Sequence, residues 1–348
     1  MKPRYFLGIL FLGIALAAPA AQAQPFGGWL TLTGEPSQGW IEVPANPVLN
    51  PTNAFTFEAW VSVSNNVTGE DCRSIAGKSF TAAWWVGVCN VGGNPTLRSY
   101  LRGGGSSKNG GIIPRGIWTH IAVTTDGVTR RHYINGVEVA LTGSAAESGA
   151  PTTSTSPLRI GSDVSWVHSP AGAIDEVNLW NVVRTQAQIQ ADLAGPITGP
   201  VQGLLAVWSF NGNGRDAVAV YNGSPVGAVG FGAPAPPGGA WLTTGELPGF
   251  RFKVRIAGTT TGVQESDCLG ETLCVSGAVP GRSEVFVRIV GPRPNGYLWP
   301  NVVKFTTSTV EVWIEQLATS SVKYYALPGA WPGLDDLPGL YDRTGFLP

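Results

Sequence analysis

Charge is what this sequence has least of. Lys, Arg, Asp and Glu make up 13% of its 348 residues, against about 25% in an average globular chain, and no basic stripe is present that could follow a phosphate backbone. A nucleic-acid partner is disfavoured on that ground. Histidine is nearly absent, at 3 residues, and the 4 cysteines form no C-x2-C pair, which leaves little material for a zinc site. No G-x-S-x-G elbow, H-E-x-x-H pair or Walker loop occurs, so no motif announces hydrolase, metalloprotease or nucleotide chemistry. No apolar run, the N-terminal one included, reaches the roughly 20 residues that span a bilayer.

Turn formers are abundant instead. Gly (47) and Pro (27) together exceed a fifth of the chain, while 43% of it is hydrophobic. Such a composition suits an all-β protein with a real core and excludes wholesale disorder. Met1 to Ala23 carries Lys2 and Arg4, then the apolar run Tyr5 to Ala18, then Ala21-Gln22-Ala23. That is the form of a cleaved signal peptide, so export is expected with Gln24 as mature N-terminus. Without Lys2 and Arg4 the chain holds 20 basic against 23 acidic residues.

The Gly/Pro/Ala stretch at 227–239 separates two β-patterned regions and reads as a linker. Two domains are therefore expected, at 24–226 and 240–348. In the first, Phe55, Phe57, Ala59, Val61 and Val63 alternate with Thr56, Glu58, Trp60 and Ser62, the period of a strand. Trp60 on the alternate face means that face is not fully solvated either. Asn135-Gly136 between two apolar runs predicts a hairpin, and residues 185–193 predict one short helix with Thr185 as N-cap. In the second region Phe250 to Ile256, Val310 to Leu317 and neighbouring runs alternate apolar with charged residues, which predicts an antiparallel sandwich or open barrel with one wet face. Cys72, Cys89, Cys268 and Cys274 fall as two local pairs. Of three connectivities, the local one keeps each bridge inside one domain, and export favours oxidation.

Several motifs then stand in a telling order: Asn50-Pro-Thr-Asn-Ala-Phe-Thr-Phe-Glu-Ala-Trp60, Trp118-Thr-His-Ile-Ala-Val-Thr124, Tyr133-Ile-Asn-Gly136, Leu158-Arg-Ile-Gly161 and Gly172-Ala-Ile-Asp-Glu-Val-Asn-Leu-Trp-Asn181. Together they resemble the LamG-like jelly-roll domain of the concanavalin A-like lectin/glucanase superfamily. The resemblance implies two antiparallel sheets in a secreted module that binds glycans or proteins, often with a disulfide and a calcium ion. Cysteines of the family sit where Cys72 and Cys89 do, which supports that pairing. Residues 271–296 resemble a C-terminal β-module of secreted bacterial proteins, to which no activity attaches.

Fold of this kind does not fix function, so candidate residues are weighed singly. Asp175 matches the Asp of the family's Ile-Asp-Glu-Val strand and is the candidate calcium ligand, with Glu35 as the only carboxylate in the first turn. For glycoside hydrolysis, Asp175 and Glu176 are adjacent and would point to opposite faces of a strand, and Glu311 and Glu315 read as the wet side of a sheet. No catalytic residue is assigned. Sugar binding needs an exposed aromatic face beside hydrogen-bonding groups. Trp166, in a polar loop with Asp163, Ser165 and His168, has that setting, and one of the consecutive Trp84 and Trp85 should face away from its sheet's core. The leading expectation is a secreted, non-enzymatic protein binding a glycan or an envelope or extracellular partner. The alternative is a structural or surface-display role, and a glycoside hydrolase ranks below both.

Overall fold

The computed structural model describes residues 27–52, 54–64, 71–102, 107–165, 167–197, 200–217, 221–233, 240–244, 247–256, 263–264, 272–276, 283–290, 298–304, 310–318, 321–327 and 339–341. The expected leader, Trp166 and Cys268 lie outside the described residues. No helix among the described residues is long and apolar enough to cross a membrane.

Strands β1 (Trp29–Thr33), β2 (Gly39–Val43), β3 (Phe55–Val63), β4 (Cys72–Gly77), β5 (Trp85–Val91), β6 (Asn94–Tyr100), β7 (Lys108–Ile112) and β8 (Thr119–Thr125) are followed by β9 (Arg130–Ile134), β10 (Val137–Val139), β11 (Leu158–Ile160) and β12 (Ala171–Trp180). Helix α1 (Gln186–Asp192), β13 (Leu204–Trp208), β14 (Ser224–Gly227) and β15 (Val229–Gly232) complete the first unit. The strands form two antiparallel sheets, ordered β10-β9-β8-β3-β12-β1-β15, with β13 also paired to β12, and β14-β2-β11-β4-β5-β6-β7. This is the jelly-roll sandwich that the sequence motifs imply.

One core joins the inner faces of the two sheets. Phe57 and Val61 of β3, Val123 of β8, and Ile174 and Leu179 of β12 meet Ile41 of β2, Ile75 of β4, Val86 of β5 and Leu97 of β6, all without solvent exposure. Burial of each such side chain stabilises by about 1.5–3 kcal/mol. The outer face of β3 is covered as well: Thr56, Glu58 and Trp60 are buried. Part of that cover is α1, whose Ile189 packs on Ala122 and Tyr133. Thr185 caps the helix and forms a capping box with Gln188, satisfying first-turn N–H groups that would otherwise lack partners. The hairpin at Asn135-Gly136 has φ of 49° and 73°, the left-handed pair that suits strand twist.

Two expectations need correction. The stretch read as a linker from Gly227 is partly hydrogen-bonded strand, because β15 pairs with β1 and Gly227 itself ends β14, which pairs with β2. Its small residues suit edge strands packed closely on their neighbours, and Gly227 turns between the two sheets at φ 70°, where an added Cβ would lie 2.3 Å from the Gln38 carbonyl. The first unit therefore runs to Gly232. The second correction concerns the expected wet face of the C-terminal region, whose antiparallel β architecture is as expected: β16 (Phe250–Ile256), β21 (Val310–Gln316) and β22 (Ser321–Leu327) form one sheet. A second sheet runs β17 (Val263–Gln264), β18 (Thr272–Ser276), β19 (Ser283–Val290), β20 (Trp299–Lys304) and β23 (Gly339–Tyr341).

The two small sheets share a core that includes Phe252, Val254, Val285, Val287, Val312 and Ile314. The opposite face of the β16-β21-β22 sheet is not wet at its centre: Trp313, Tyr324 and Lys253 are 0%, 2% and 5% exposed. That face meets the jelly roll. An added Cβ on Gly212 would lie 3.4 Å from the Tyr324 carbonyl. The Tyr324 phenol is held above its usual range by burial first, then by Glu311, to which it donates a 2.7 Å hydrogen bond, and also by the charge of Asp175. Alternation reveals which residues share a face, not what lands on it.

A polar network fills one end of the jelly-roll interior. Arg130 donates to the Ser99 hydroxyl at 3.1 Å, Ser99 donates to Nε2 of His132 at 2.8 Å, and Nδ1 of His132 donates to the Gly110 carbonyl at 3.2 Å. Arg130 is also paired with Glu147 at 2.7 Å. Burial, aided by the Arg130 charge, pushes the His132 imidazole down to about 3, so the folded protein holds it neutral. An unfolded histidine takes a proton near pH 6.5, so stability owed to neutral His132 is complete above that pH and is lost as pH falls toward 3. In urea unfolding from pH 7.5 to 4.5, the stability deficit of His132→Gln relative to wild type should shrink below pH 6.5, at up to about 1.4 kcal/mol per pH unit. A deficit constant with pH would mean that folding leaves the His132 imidazole at its unfolded value, and a deficit growing below pH 6.5 would mean that it is charged in the fold.

Candidate functional site

Three loops meet at one end of the sandwich: residues 34–38 between β1 and β2, 78–84 between β4 and β5, and 161–170 between β11 and β12. Asp163 joins two of them. Its side chain is buried, with one oxygen accepting from the Phe80 N–H at 2.9 Å and the other from the Ser165 N–H at 2.8 Å. A carboxylate so used straps the 78–84 loop to the 161–170 loop, and Asp163 is a positioning residue rather than a group open to a ligand. Above it, the hydroxyls of Ser79, Thr81 and Ser165 lie 3.0–3.2 Å from one another. Thr81 and Ser165 are exposed.

Beside this triangle Nδ1 of His168 lies 2.8 Å from the Glu35 carboxylate, and Arg73 stands 3.6 Å from Glu35 and 2.6 Å from Asp71. The His168 carbonyl accepts from the Ser74 N–H, which pins this loop to β4. Arg159 stacks 4.4 Å above the Trp40 ring while donating to Glu42 and to the Asp163 carbonyl. The end of the sandwich thus presents hydroxyls, an imidazole and carboxylates in fixed positions.

The expected aromatic platforms fare differently. Trp166 lies outside the described residues. Trp84 points into the main core and Trp85 to the opposite face, as alternation requires, but Trp85 is fully buried. Its Nε1 donates to Ser74 at 2.8 Å and its ring meets Tyr100 and Phe80 edge-on over the Cys72–Cys89 disulfide. Trp85 therefore offers no face to a ligand. Gly87 makes room for it, since an added Cβ would lie 2.3 Å from the ring. The Cys72 to Cys89 bridge links directly opposed positions of β4 and β5. Cys274 is also disulfide-bonded.

A second cluster lies in β12. Asp175 stands opposite Trp60 and Asn178 opposite Glu58, so Glu176 and Val177 together face one residue of β3. This is a β-bulge, and Glu176 takes the left-handed conformation at φ 45°. The extra residue cancels the alternation that would have sent Asp175 and Glu176 to opposite faces. Both carboxyls are buried, and they interact: Asp175 is raised well above the usual range by burial and then by the charge of Glu176. Burial raises Glu176 to about 8. The Glu176 N–H pulls weakly the other way on Asp175, yet none of the four carboxylate oxygens, nor Oδ1 of Asn178, accepts a hydrogen bond of normal geometry.

Glu35 and Asp175, expected to share a cation, are tied to different partners, Glu35 to His168 and Arg73 and Asp175 to Glu176. No three His, Cys, Asp or Glu side chains converge among the described residues. The bulge itself does fit a hard cation, because its unpartnered atoms are all oxygens. Sequence reasoning overlooked Asn178 and the Ser79, Thr81 and Ser165 triangle. An Asn on the same strand as two acids was the available signal for the first, and nothing local marks the second.

Residues 34–190 match the model of a family described as the concanavalin A-like lectin/glucanases superfamily. No curated protein matches the chain. Among solved structures it is similar to a Bacteroides ovatus protein assigned to carbohydrate binding, at 21% identity, 61% coverage of each chain and TM-score 0.49. It thus spans about 61% of that protein's length. It is also similar to the heptameric SAP-like pentraxin of Limulus polyphemus, at 15% identity over 60% of this chain and 96% of that one, TM-score 0.43. Domain 4 of an extracellular arabinanase from Geobacillus stearothermophilus, solved with arabinotriose, shares 24% identity over 48% and 88% of the two chains, TM-score 0.33. Residues 34–190 are a domain of the concanavalin A-like lectin/glucanase superfamily, within a jelly roll that the strands on either side complete.

Proposed function

We infer that this is an exported, non-enzymatic glycan-binding protein whose ligand sits on the loop end built by residues 34–38, 78–84 and 161–170. The observation that carries this reading is the triangle of Ser79, Thr81 and Ser165 hydroxyls, on two loops that Asp163 ties together, with His168 of the second loop paired to Glu35 of the third. Preorganised hydroxyl, imidazole and carboxylate groups suit the hydroxyls of a sugar, and Trp166 in the same loop would supply the stacking face. The leader-like N-terminus and the Cys72–Cys89 bridge support export.

Absence of catalysis rests on where the acids stand. Retaining glycosidases need two carboxyl groups about 5–5.5 Å apart and open to substrate. Asp175 and Glu176 are neighbours but sealed from solvent, while Glu311 and Glu315 are engaged by Arg255 and Arg251. None of these pairs can flank a glycosidic bond.

A glycan array with the mature chain should give hits confined to one polysaccharide class. On that ligand, Trp166→Ala should cost about 1–3 kcal/mol of binding, by analogy with base stacking on aromatics, and His168→Ala should also weaken it, with unfolding curves nearly unchanged. An array without any hit would favour the structural or display role.

Asp163→Asn tests the loop strap. Asparagine keeps one acceptor oxygen and sets an NH2 against the other backbone donor, so the N–H of Phe80 or Ser165 loses its acceptor inside the part-buried strap. Denaturant unfolding should show a loss of about 1–3 kcal/mol, accompanied by weaker glycan binding. Unchanged stability would mean that the loops are held by other contacts.

A further inference from the structure

One cation serves two carboxyls beneath α1. Glu58 is 0% exposed on the outer face of β3, and neither of its carboxyl oxygens accepts a hydrogen bond among the described residues. His120 of β8 places Nε2 3.6 Å from one oxygen, and Arg184, in the connection from β12 to α1, has Nε 3.9 Å from the other. Both distances exceed a hydrogen bond. Strand β12 sets two uncharged side chains near Glu58, Asn178 directly opposite and Trp180 beyond it. Helix α1 brings Asp192, with which Arg184 is ion-paired while its guanidinium lies 4.1 Å above the Trp180 ring. On β9 the Tyr133 phenol is raised further by burial, and Arg131 pairs with Glu138 of β10 at 3.5 Å.

Arg184 can neutralise one carboxyl, and it is committed to Asp192. Asp192 needs it, since it ends α1, where the helix dipole disfavours negative charge. Glu58 is then a buried acid without a cation of its own, and a proton is the cheapest way to remove its charge. We propose that α1 is a proton-operated latch, which closes over the outer face of β3, β8 and β12 with Glu58 protonated because Arg184 serves Asp192 instead. Burial raises Glu58 to about 8, with Asp192 adding to the shift and Arg184 and then the Trp180 N–H opposing it. His120, the other candidate to carry the proton, is driven down to about 3 by burial. When α1 lifts, Glu58 meets water and ionises as an ordinary glutamate, near 4.5. Above about pH 6.5 His120 is neutral with the helix open or closed, so the proton released on opening comes from Glu58. Closure therefore weakens as pH rises from about 6.5 to about 8, and levels off above that, where Glu58 is ionised in both forms. Opening uncovers Ala122 and Tyr133, the seat of Ile189. The bond from Gln190 to the Gly136 carbonyl, at 3.1 Å, holds α1 to the hairpin without any titratable group.

The test is hydrogen exchange of the full mature chain, read on peptides spanning residues 185–193 and corrected for the intrinsic base catalysis of exchange. Between about pH 6.5 and 8 the protection of α1 should fall about tenfold per pH unit, the slope of one released proton, and then stay level to about pH 9. Amides of β3 and β12 should remain protected throughout. Glu58→Gln keeps the shape and removes the titration, so its α1 protection should be flat over the same range. Asp192→Asn frees Arg184 for Glu58 and should flatten the slope as well, and it carries the comparison if Glu58→Gln fails to fold. Wild-type protection independent of pH would mean that Glu58 is ionised beneath the closed helix, and would overturn the proposal. A slope that survives both substitutions would overturn it too, as would α1 exchanging in step with β3 and β12, since helix and sheet would then open only together.

Discussion

The pairing of β3 with β12 is the constraint on which the rest of this molecule depends. It sits at the middle of the eight-stranded sheet, with β8 and β1 on its flanks. Its inner face contributes Phe57, Val61, Ile174 and Leu179 to the shared core. Its outer face carries Glu58, Trp60, Asp175, Asn178 and Trp180, all buried. Because both faces are covered, register is tightly specified, and a slip by one residue would exchange apolar and polar sets throughout. The bulge is tolerated inside this pairing because Val177 and Leu179 return to the core immediately after it. From the N-terminal end of β12 the chain leads back into the 161–170 loop, so the same strand that carries the buried acids also anchors the candidate binding surface.

Local features were legible in the sequence because their causes are local. Alternation in β3, the left-handed Asn135-Gly136 pair and the Thr185 cap each depend on a few neighbouring residues, and the structure shows them as read. What failed depends on partners distant in sequence. Strand β15 has the composition of a linker, and only the backbone of β1 makes it a strand. The charged face of β21 and β22 looks solvated until a second unit covers Trp313 and Tyr324. Asp175 and Glu176 look opposed because strand period says so, whereas register against β3 inserts a residue between them and the next pair.

The candidate site was half legible for the same reason. A polar loop holding Asp163, Ser165 and His168 was visible, but the division of labour inside it was not. Asp163 spends both oxygens on backbone N–H groups, and the exposed hydroxyls come partly from a loop more than 80 positions earlier, as the Thr81 to Ser165 contact shows. Trp85 illustrates the converse limit. Pattern correctly turned it away from the main core, yet the Cys72–Cys89 bridge, Phe80 and Tyr100 enclose it in a satellite cluster.

Scarcity of charge also bears on the ligand. Of the charged side chains this chain possesses, many serve the interior: Arg130 with Glu147, Arg184 with Asp192, and the buried Glu58, Asp175 and Glu176. At the loop end the remaining acids and bases are largely paired with one another, Glu35 with His168 and Arg73, Arg73 with Asp71, and Arg159 with Glu42. A surface whose charges are mutually satisfied has little net field to attract an ionic partner. On the proposed glycan-binding reading, recognition would come from hydroxyls, backbone groups and rings, whose hydrogen bonds and stacking are geometric rather than electrostatic, and the glycan that such a surface would suit is a neutral one.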